Sequence, residues 1–175
     1  MSTLTRPGGA AVAGPDVVLT DLYTAHYRGL VRLAAYLTGD PDNAEEVVQD
    51  AYVRVHGSWR GLKDPTKGEA YLRTAVVNLS RSRLRRRQVA SRYVAPPLTD
   101  AASAEAGALA LAQRDAVLSA LQKLPRRQRE AVVLRYYSDL TEPQTAAAMG
   151  CSVGSVKSYT SRAMATLRPL LEEIR

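Results

Sequence analysis

Tyr23, Tyr27, Leu30, Leu33 and Leu37 recur every three or four residues, the spacing that gathers side chains on one face of an α-helix. Gly39 ends that stripe, and Asp40 with Pro41 offers an N-cap and a first-turn proline for a second helix. Ala44, Val48, Ala51 and Val55 carry a second stripe as far as Gly57, so two antiparallel helices are expected. Gly61, Pro65 and Gly68 then interrupt the period, which makes "SWRGLKDPTKG" a loop that exposes Trp59 between polar neighbours. A third helix is expected from near Glu69. Its buried stripe is Leu72, Val76 and Leu79, while Tyr71, Thr74, Asn78, Arg81 and Arg85 share another face.

From Val89 to Gly107, Ala, Pro, Ser and Thr dominate and the apolar period is lost. A linker of about 17 residues can extend to roughly 55 Å, enough to hold two domains on well-separated sites. Leu111, Leu118 and Leu121 then resume a helical pattern. In "TEPQTAAAMG", Thr141 and Gln144 have capping-box spacing, Pro143 falls in the first turn and Gly150 takes the place of a helix-ending glycine. Ser152 caps the following helix, on which Val153, Val156, Thr160, Ala163 and Leu167 face inward; Pro169 is expected to bend or end it. Helix, short turn and helix make a helix-turn-helix. The expected fold is all-α: two small helical domains joined by a flexible linker, the C-terminal one carrying the helix-turn-helix. The boundaries are 1–16 for a flexible tail, 17–90 for the first domain, 91–107 for the linker and 108–175 for the second domain.

Charge is distributed unevenly along this pattern. Gly61 to Arg92 holds nine Lys and Arg against Asp64 and Glu69, a balance equal to the +7 of all 175 residues, and five arginines fall between Arg81 and Arg87. Such a patch implies a polyanionic partner, nucleic acid or an anionic membrane surface. Cys151 is the only cysteine, which excludes an intramolecular disulfide and a zinc site built on several thiolates. His26 and His56 lie far apart without companion ligands, and there is no triad, metal cluster or phosphate loop, so neither a metal, a cofactor nor an enzymatic activity is expected. No stretch approaches the run of about 20 apolar residues that spans a bilayer, and a cytoplasmic protein without membrane insertion is expected.

Two nucleic-acid surfaces of different kinds follow. On the second helix of the helix-turn-helix, Lys157 and Arg162 can contact phosphates or guanine edges, with Ser158 and Ser161 as short hydrogen-bonding partners in a major groove. The arginine run surrounds its helix, an arrangement that no duplex groove requires. Trp59 and Arg60 in the loop, with Tyr71 and Asn78 just upstream of the arginines, supply the chemistry that grasps separated strands: aromatic faces stack bases, an amide bonds a base edge and arginines hold the backbone. The same residues also fit a plainer reading, core aromatics and a solvated helix end. A helix-turn-helix regulator whose N-terminal helices dimerise or bind a ligand would instead bind duplex DNA at symmetric half-sites.

Three stretches in this order, "AEEVVQDAYVRV", "AYLRTAVVNLSRSRLRRR" and "LPRRQREAVVLRYYSDLTEPQTAAAMGCSVGSVKSYTSRAMATLR", resemble the extracytoplasmic-function, or group-four, sigma factors of bacterial RNA polymerase, over about residues 18–90 and 108–168. The resemblance implies a sigma factor that binds core RNA polymerase and directs promoter recognition, DNA melting and initiation. Val48, Gln49, Asp50 and Tyr52 match the surface that docks on the clamp helices of the largest subunit, and the flap of the second-largest subunit is implied as a further contact. Asn78 matches the asparagine associated with the captured −10 base, and the loop from Trp59 to Lys63 matches the segment that cradles it. Tyr71 stands where the family usually has tryptophan, with Arg60, Arg81, Arg85 and Arg86 completing the −10 set. Lys157, Ser158, Ser161 and Arg162 fall at −35-reading positions, and Thr145 replaces an isoleucine. Promoter DNA is the implied ligand, and an anti-sigma protein is a partner the family often has.

Overall fold

The computed structural model describes residues 15–90 and 108–172; the expected linker and most of the expected tail lie outside them. Helix α1 (Pro15–Thr38) is followed by α2 (Ala44–Ser58) and α3 (Gly68–Ala90), then by α4 (Ala108–Gln122), α5 (Arg126–Val132), α6 (Glu142–Met149) and α7 (Val153–Glu172). All regular structure among the described residues is helical, including two short 3₁₀ turns at Trp59–Gly61 and Pro65–Lys67 and a π-type turn at Val133–Tyr137. Helix α1 starts inside the stretch expected to be tail, at Pro15, where a proline costs no helical hydrogen bond.

The leucines of the expected α1 stripe and the α2 stripe form the centre of the first half, with Tyr27 partly buried at its edge, but Tyr23 is exposed. Leu30, Leu33 and Leu37 join Ala44, Val48, Ala51 and Val55, and α3 adds Leu72, Val76 and Val77. Each such leucine or valine contributes on the order of 1.5–3 kcal/mol by leaving water. Helix α2 begins later than expected. Asp40 does not cap it: the Asp40 carboxylate accepts from the Asn43 backbone N–H (3.2 Å) and side-chain amide (2.9 Å), closing a turn ahead of the helix. Gly39, at φ +69°, makes the break that lets the chain reverse.

In the second half the local signals hold. Thr141 accepts from the Gln144 N–H at 3.3 Å while the Gln144 side chain accepts from the Thr141 N–H at 2.9 Å. Gly150 at φ +62° ends α6, and Ser152 accepts from the Ser155 N–H at 3.1 Å to start α7. Val156, Ala163 and Leu167 are buried beneath α7, but Val153, expected to face inward, is 37% exposed. Helix α7 does not end at Pro169. It runs on to Glu172, with buried Leu167 and partly buried Leu170 holding it to the core on either side of the proline.

The two halves are packed together, and one apolar cluster runs through both. Tyr137 crosses between them, its ring edge-on to Tyr36 at 5.0 Å and its hydroxyl donating to the Gly29 carbonyl at 3.1 Å. Helix α3 meets α6 at a second junction.

Thr145 is wholly buried in α6 and its hydroxyl has no hydrogen-bond partner. A buried, unsatisfied polar atom costs about 1–3 kcal/mol. Thr145→Val should therefore raise the urea midpoint, by about 1 kcal/mol in stability; a lowered midpoint would show that the hydroxyl is satisfied.

Candidate nucleic-acid interface

Residues of the α2–α3 face define the first surface. Burial of Val48 at 0% exposure rotates Gln49 and Asp50 outward, so Val48 supports this surface from beneath and is not part of it. Tyr52 is half-buried and its hydroxyl donates to the Leu22 carbonyl at 3.0 Å. Burial, then the neighbouring Tyr23 and Tyr27, push its pKa up to about 12, so it remains a neutral donor tying α2 to α1. Val53, one turn beyond Gln49 and Asp50, is 72% exposed. It lines a groove of about 400 Å³ between α2 and α3 with Asp50, Arg54, Leu79, Arg83 and Arg86. Val53 escaped sequence reasoning although its signal was present: it lies off the Ala44–Val48–Ala51–Val55 stripe, so a valine there must face water.

The second surface follows the loop after α2 and the outer face of α3. Arg60 and Lys63 are exposed in the loop, but the sequence expectation for Trp59 is corrected: it is 8% exposed. The two 3₁₀ turns fold the loop back so that the indole lies under Gly68. A Cβ there would sit 3.3 Å from the indole and collide with Leu22. Trp59 thus sets the angle between the loop and α3 and presents no face to a base. Tyr71 is half-buried and Asn78 exposed on α3, seven residues or about 10.5 Å apart along the helix. The Asn78 side-chain oxygen accepts from Arg81 at 3.2 Å, leaving its amide donors outward.

The five arginines divide by direction. Arg83 pairs with Glu46 at 2.7 Å and Arg87 with Asp40 at 3.1 Å, both inside the first half. The hydrogen bond and charge of Arg83 hold the Glu46 carboxyl below its usual value. Arg81 reaches into the second half, where its guanidinium grips Glu130 at 2.8 and 2.9 Å. Arg85 and Arg86 are exposed and form no ion pair among the described residues.

The third surface is the outer face of α7. Lys157, Ser158, Ser161 and Arg162 are all exposed there at spacings of one, four and five, opposite buried Val156 and Ala163. Lys157 lies 3.6 Å from Glu142 in the first turn of α6, an exposed contact of the kind worth little.

Two helical halves, one with a basic stripe behind an exposed asparagine and the other with a polar-faced helix-turn-helix, have the surface chemistry of a nucleic-acid-binding protein. Residues 22–90 match the family description Sigma-70 region 2, and residues 114–167 match Sigma-70, region 4. The chain is 37% identical over 143 residues to the RNA polymerase sigma-E factor of Streptomyces avermitilis, covering 82% of this chain and 79% of that relative. It is 32% identical over 162 residues to the ECF RNA polymerase sigma factor SigM of Mycobacterium tuberculosis, covering 93% and 81%. Among solved structures, it is similar to the sigma factor RpoE in complex with the anti-sigma factor NepR from Bartonella quintana, with a TM-score of 0.73 and 29% identity over 89% of this chain and 98% of that one. It also resembles CnrH in complex with the cytosolic domain of CnrY, with a TM-score of 0.66 and 27% identity. The chain belongs to the sigma-70 family, in its extracytoplasmic-function group. It is a promoter-recognition and transcription-initiation factor of RNA polymerase, and sigma factors are non-enzymatic. No helix among the described residues is long and apolar enough to cross a membrane.

Replacing Trp59 by Ala should cost about 3–5 kcal/mol, the usual range for a buried aromatic. Trp59→Phe should keep both the fold and binding to single-stranded DNA, measured by urea denaturation and fluorescence anisotropy. Loss of DNA binding by folded Trp59→Phe would return the indole to the binding surface.

Proposed function

We propose that residues 17–90 bind core polymerase and engage the −10 strand, that residues 108–175 hold the −35 duplex, and that residues 91–107, which lie outside the described residues, join the two. Gln49, Asp50 and Val53 form the docking face for the clamp helices of the largest subunit, with Tyr52 and Val48 positioning it from behind. The flap of the second-largest subunit is the counterpart for the C-terminal half. Asn78 bonds the extruded −10 base beside Arg60, Lys63 and Tyr71. Extrusion costs a few kcal/mol, which a polar donor aimed outward helps to offset. Arg81, Arg85 and Arg86 neutralise the backbone behind it. Lys157, Ser158, Ser161 and Arg162 read the −35 duplex from α7. A cytoplasmic location follows from work on the polymerase. An anti-sigma partner is part of the reading because the similar sigma factor RpoE was solved in complex with the anti-sigma factor NepR.

The observation that carries the −10 assignment is the free cationic pair Arg85 and Arg86 directly behind an exposed asparagine on one helix. Permanganate footprinting of holoenzyme open complexes tests it. Asn78→Ala should abolish strand opening with core binding retained. The double change Arg85→Ala, Arg86→Ala should reduce opening and flatten its salt dependence, by roughly 0.7 in log–log slope for each lost single-strand phosphate contact. Unchanged opening in the double variant would remove the phosphate role from these arginines.

A further inference from the structure

The outward side of α7 carries one residue out of character with its neighbours. Val153, the first residue of the helix, is 37% exposed and stands outside the buried apolar cluster, while Lys157, Ser158, Ser161 and Arg162 beyond it are polar and exposed. Lys157 follows one turn later on the same side. The serines of the first turn are already engaged. Ser152 accepts from the Ser155 N–H at 3.1 Å, and the two hydroxyls share a hydrogen bond at 2.9 Å. Gly154 has an ordinary helical backbone, and a Cβ on it would meet only the Ser152 hydroxyl among the described residues, at 3.9 Å. Neither backbone nor packing within the chain calls for a glycine there, and glycine weakens a helix relative to alanine. What the first turn offers a partner is therefore a pair of valine methyls beside uncovered backbone.

A helix-turn-helix docks with the first residues of its second helix against base edges in the major groove. Most of what the bases show there is hydrogen-bond donors and acceptors, and the one apolar group is the C5-methyl of thymine. A valine gains nothing from the former. We propose that Val153 is a specificity-determining residue of the −35 reader, selecting a thymine by packing its methyls on the thymine C5-methyl. This rests on the reading of α7 as the helix that contacts the −35 duplex. Val153 and Lys157 lie four residues, about 6 Å, apart along the helix. At roughly 3.4 Å per base pair, the selected thymine falls within about two base pairs of the Lys157 contact.

Holoenzyme assembled from the full chain and core polymerase, with a randomised duplex library as probe, tests the assignment. Wild-type holoenzyme should select a thymine in the upstream element; with Val153→Ala that preference should disappear while the rest of the element is retained. On the selected duplex, deoxyuridine in place of that thymine removes the methyl alone. Wild-type binding should weaken about fourfold, the worth of one buried methyl group. Val153→Ala should bind both duplexes alike, and this double comparison cancels any effect of deoxyuridine on the duplex itself. Lys157→Ala should weaken binding to both duplexes and keep the difference between them. Wild-type holoenzyme indifferent to deoxyuridine at every thymine of the element, with Lys157→Ala still weakened, would overturn the role of Val153 alone. A deoxyuridine effect undiminished in Val153→Ala would give the methyl to another residue and overturn it as well. If Lys157→Ala and Ser158→Ala both bind without loss, α7 is not the −35 reader and the proposal falls with that reading.

Discussion

The apolar seam shared by α1, α2 and α3 fixes everything that faces outward. Leu33, Leu37, Val47, Val48, Leu72, Val76 and Val77 are at most 2% exposed, and a helix turns about 100° per residue, so little rotational freedom remains. With Val47 and Val48 inside, Gln49 and Asp50 must lie outside. With Val76, Val77 and Ser80 inside, Asn78 and the pair Arg85 and Arg86 must project. A slip of one residue on either helix would bury a carboxylate or a guanidinium without a partner, at a cost larger than any one apolar contact in the seam. The interaction surfaces are thus the complement of the core.

Charge is organised by the same geometry. The five arginines from Arg81 to Arg87 fall on one short span of sequence, yet in space they are sorted into three directions. Arg83 and Arg87 turn back on Glu46 and Asp40 and tie α3 to the α1–α2 corner. Arg81 turns to the helix-turn-helix, and Arg85 and Arg86 remain exposed. A run that looks uniform in sequence is therefore divided into pairs within one half, a pair between the halves and two exposed cations. Arginine suits all three because its planar fork forms directed pairs where lysine offers a point charge.

What was legible in the sequence was what is local. The capping box of Thr141 and Gln144, the left-handed Gly150 and the Ser152 cap involve partners within four residues, and each appears as the spacing implied. The leucines of the α1 stripe and the residues of the α2 stripe were legible for the same reason, whereas Tyr23 kept the spacing but lies 45% exposed at the helix surface. Trp59 was misread because its burial depends on the loop folding back beneath Gly68, which composition does not encode. Asp40 was misread because its carboxylate serves a turn before α2 and not the helix itself. Pro169 would end an isolated helix, but Leu167 and Leu170 anchor the segment on both sides of it. The pairing of Arg81 with Glu130 was invisible, being a contact across 49 residues between halves that the sequence shows only as separate units.

The most direct measurement is run-off transcription with sigma-free core polymerase from the same source, with and without this protein, on fragments that include the DNA upstream of its gene. New transcripts with discrete starts, each preceded by the same pair of sequence elements, are the predicted result. No stimulation, together with binding to a symmetric duplex site without polymerase, would contradict it and make the chain a regulator that happens to carry a sigma-like fold.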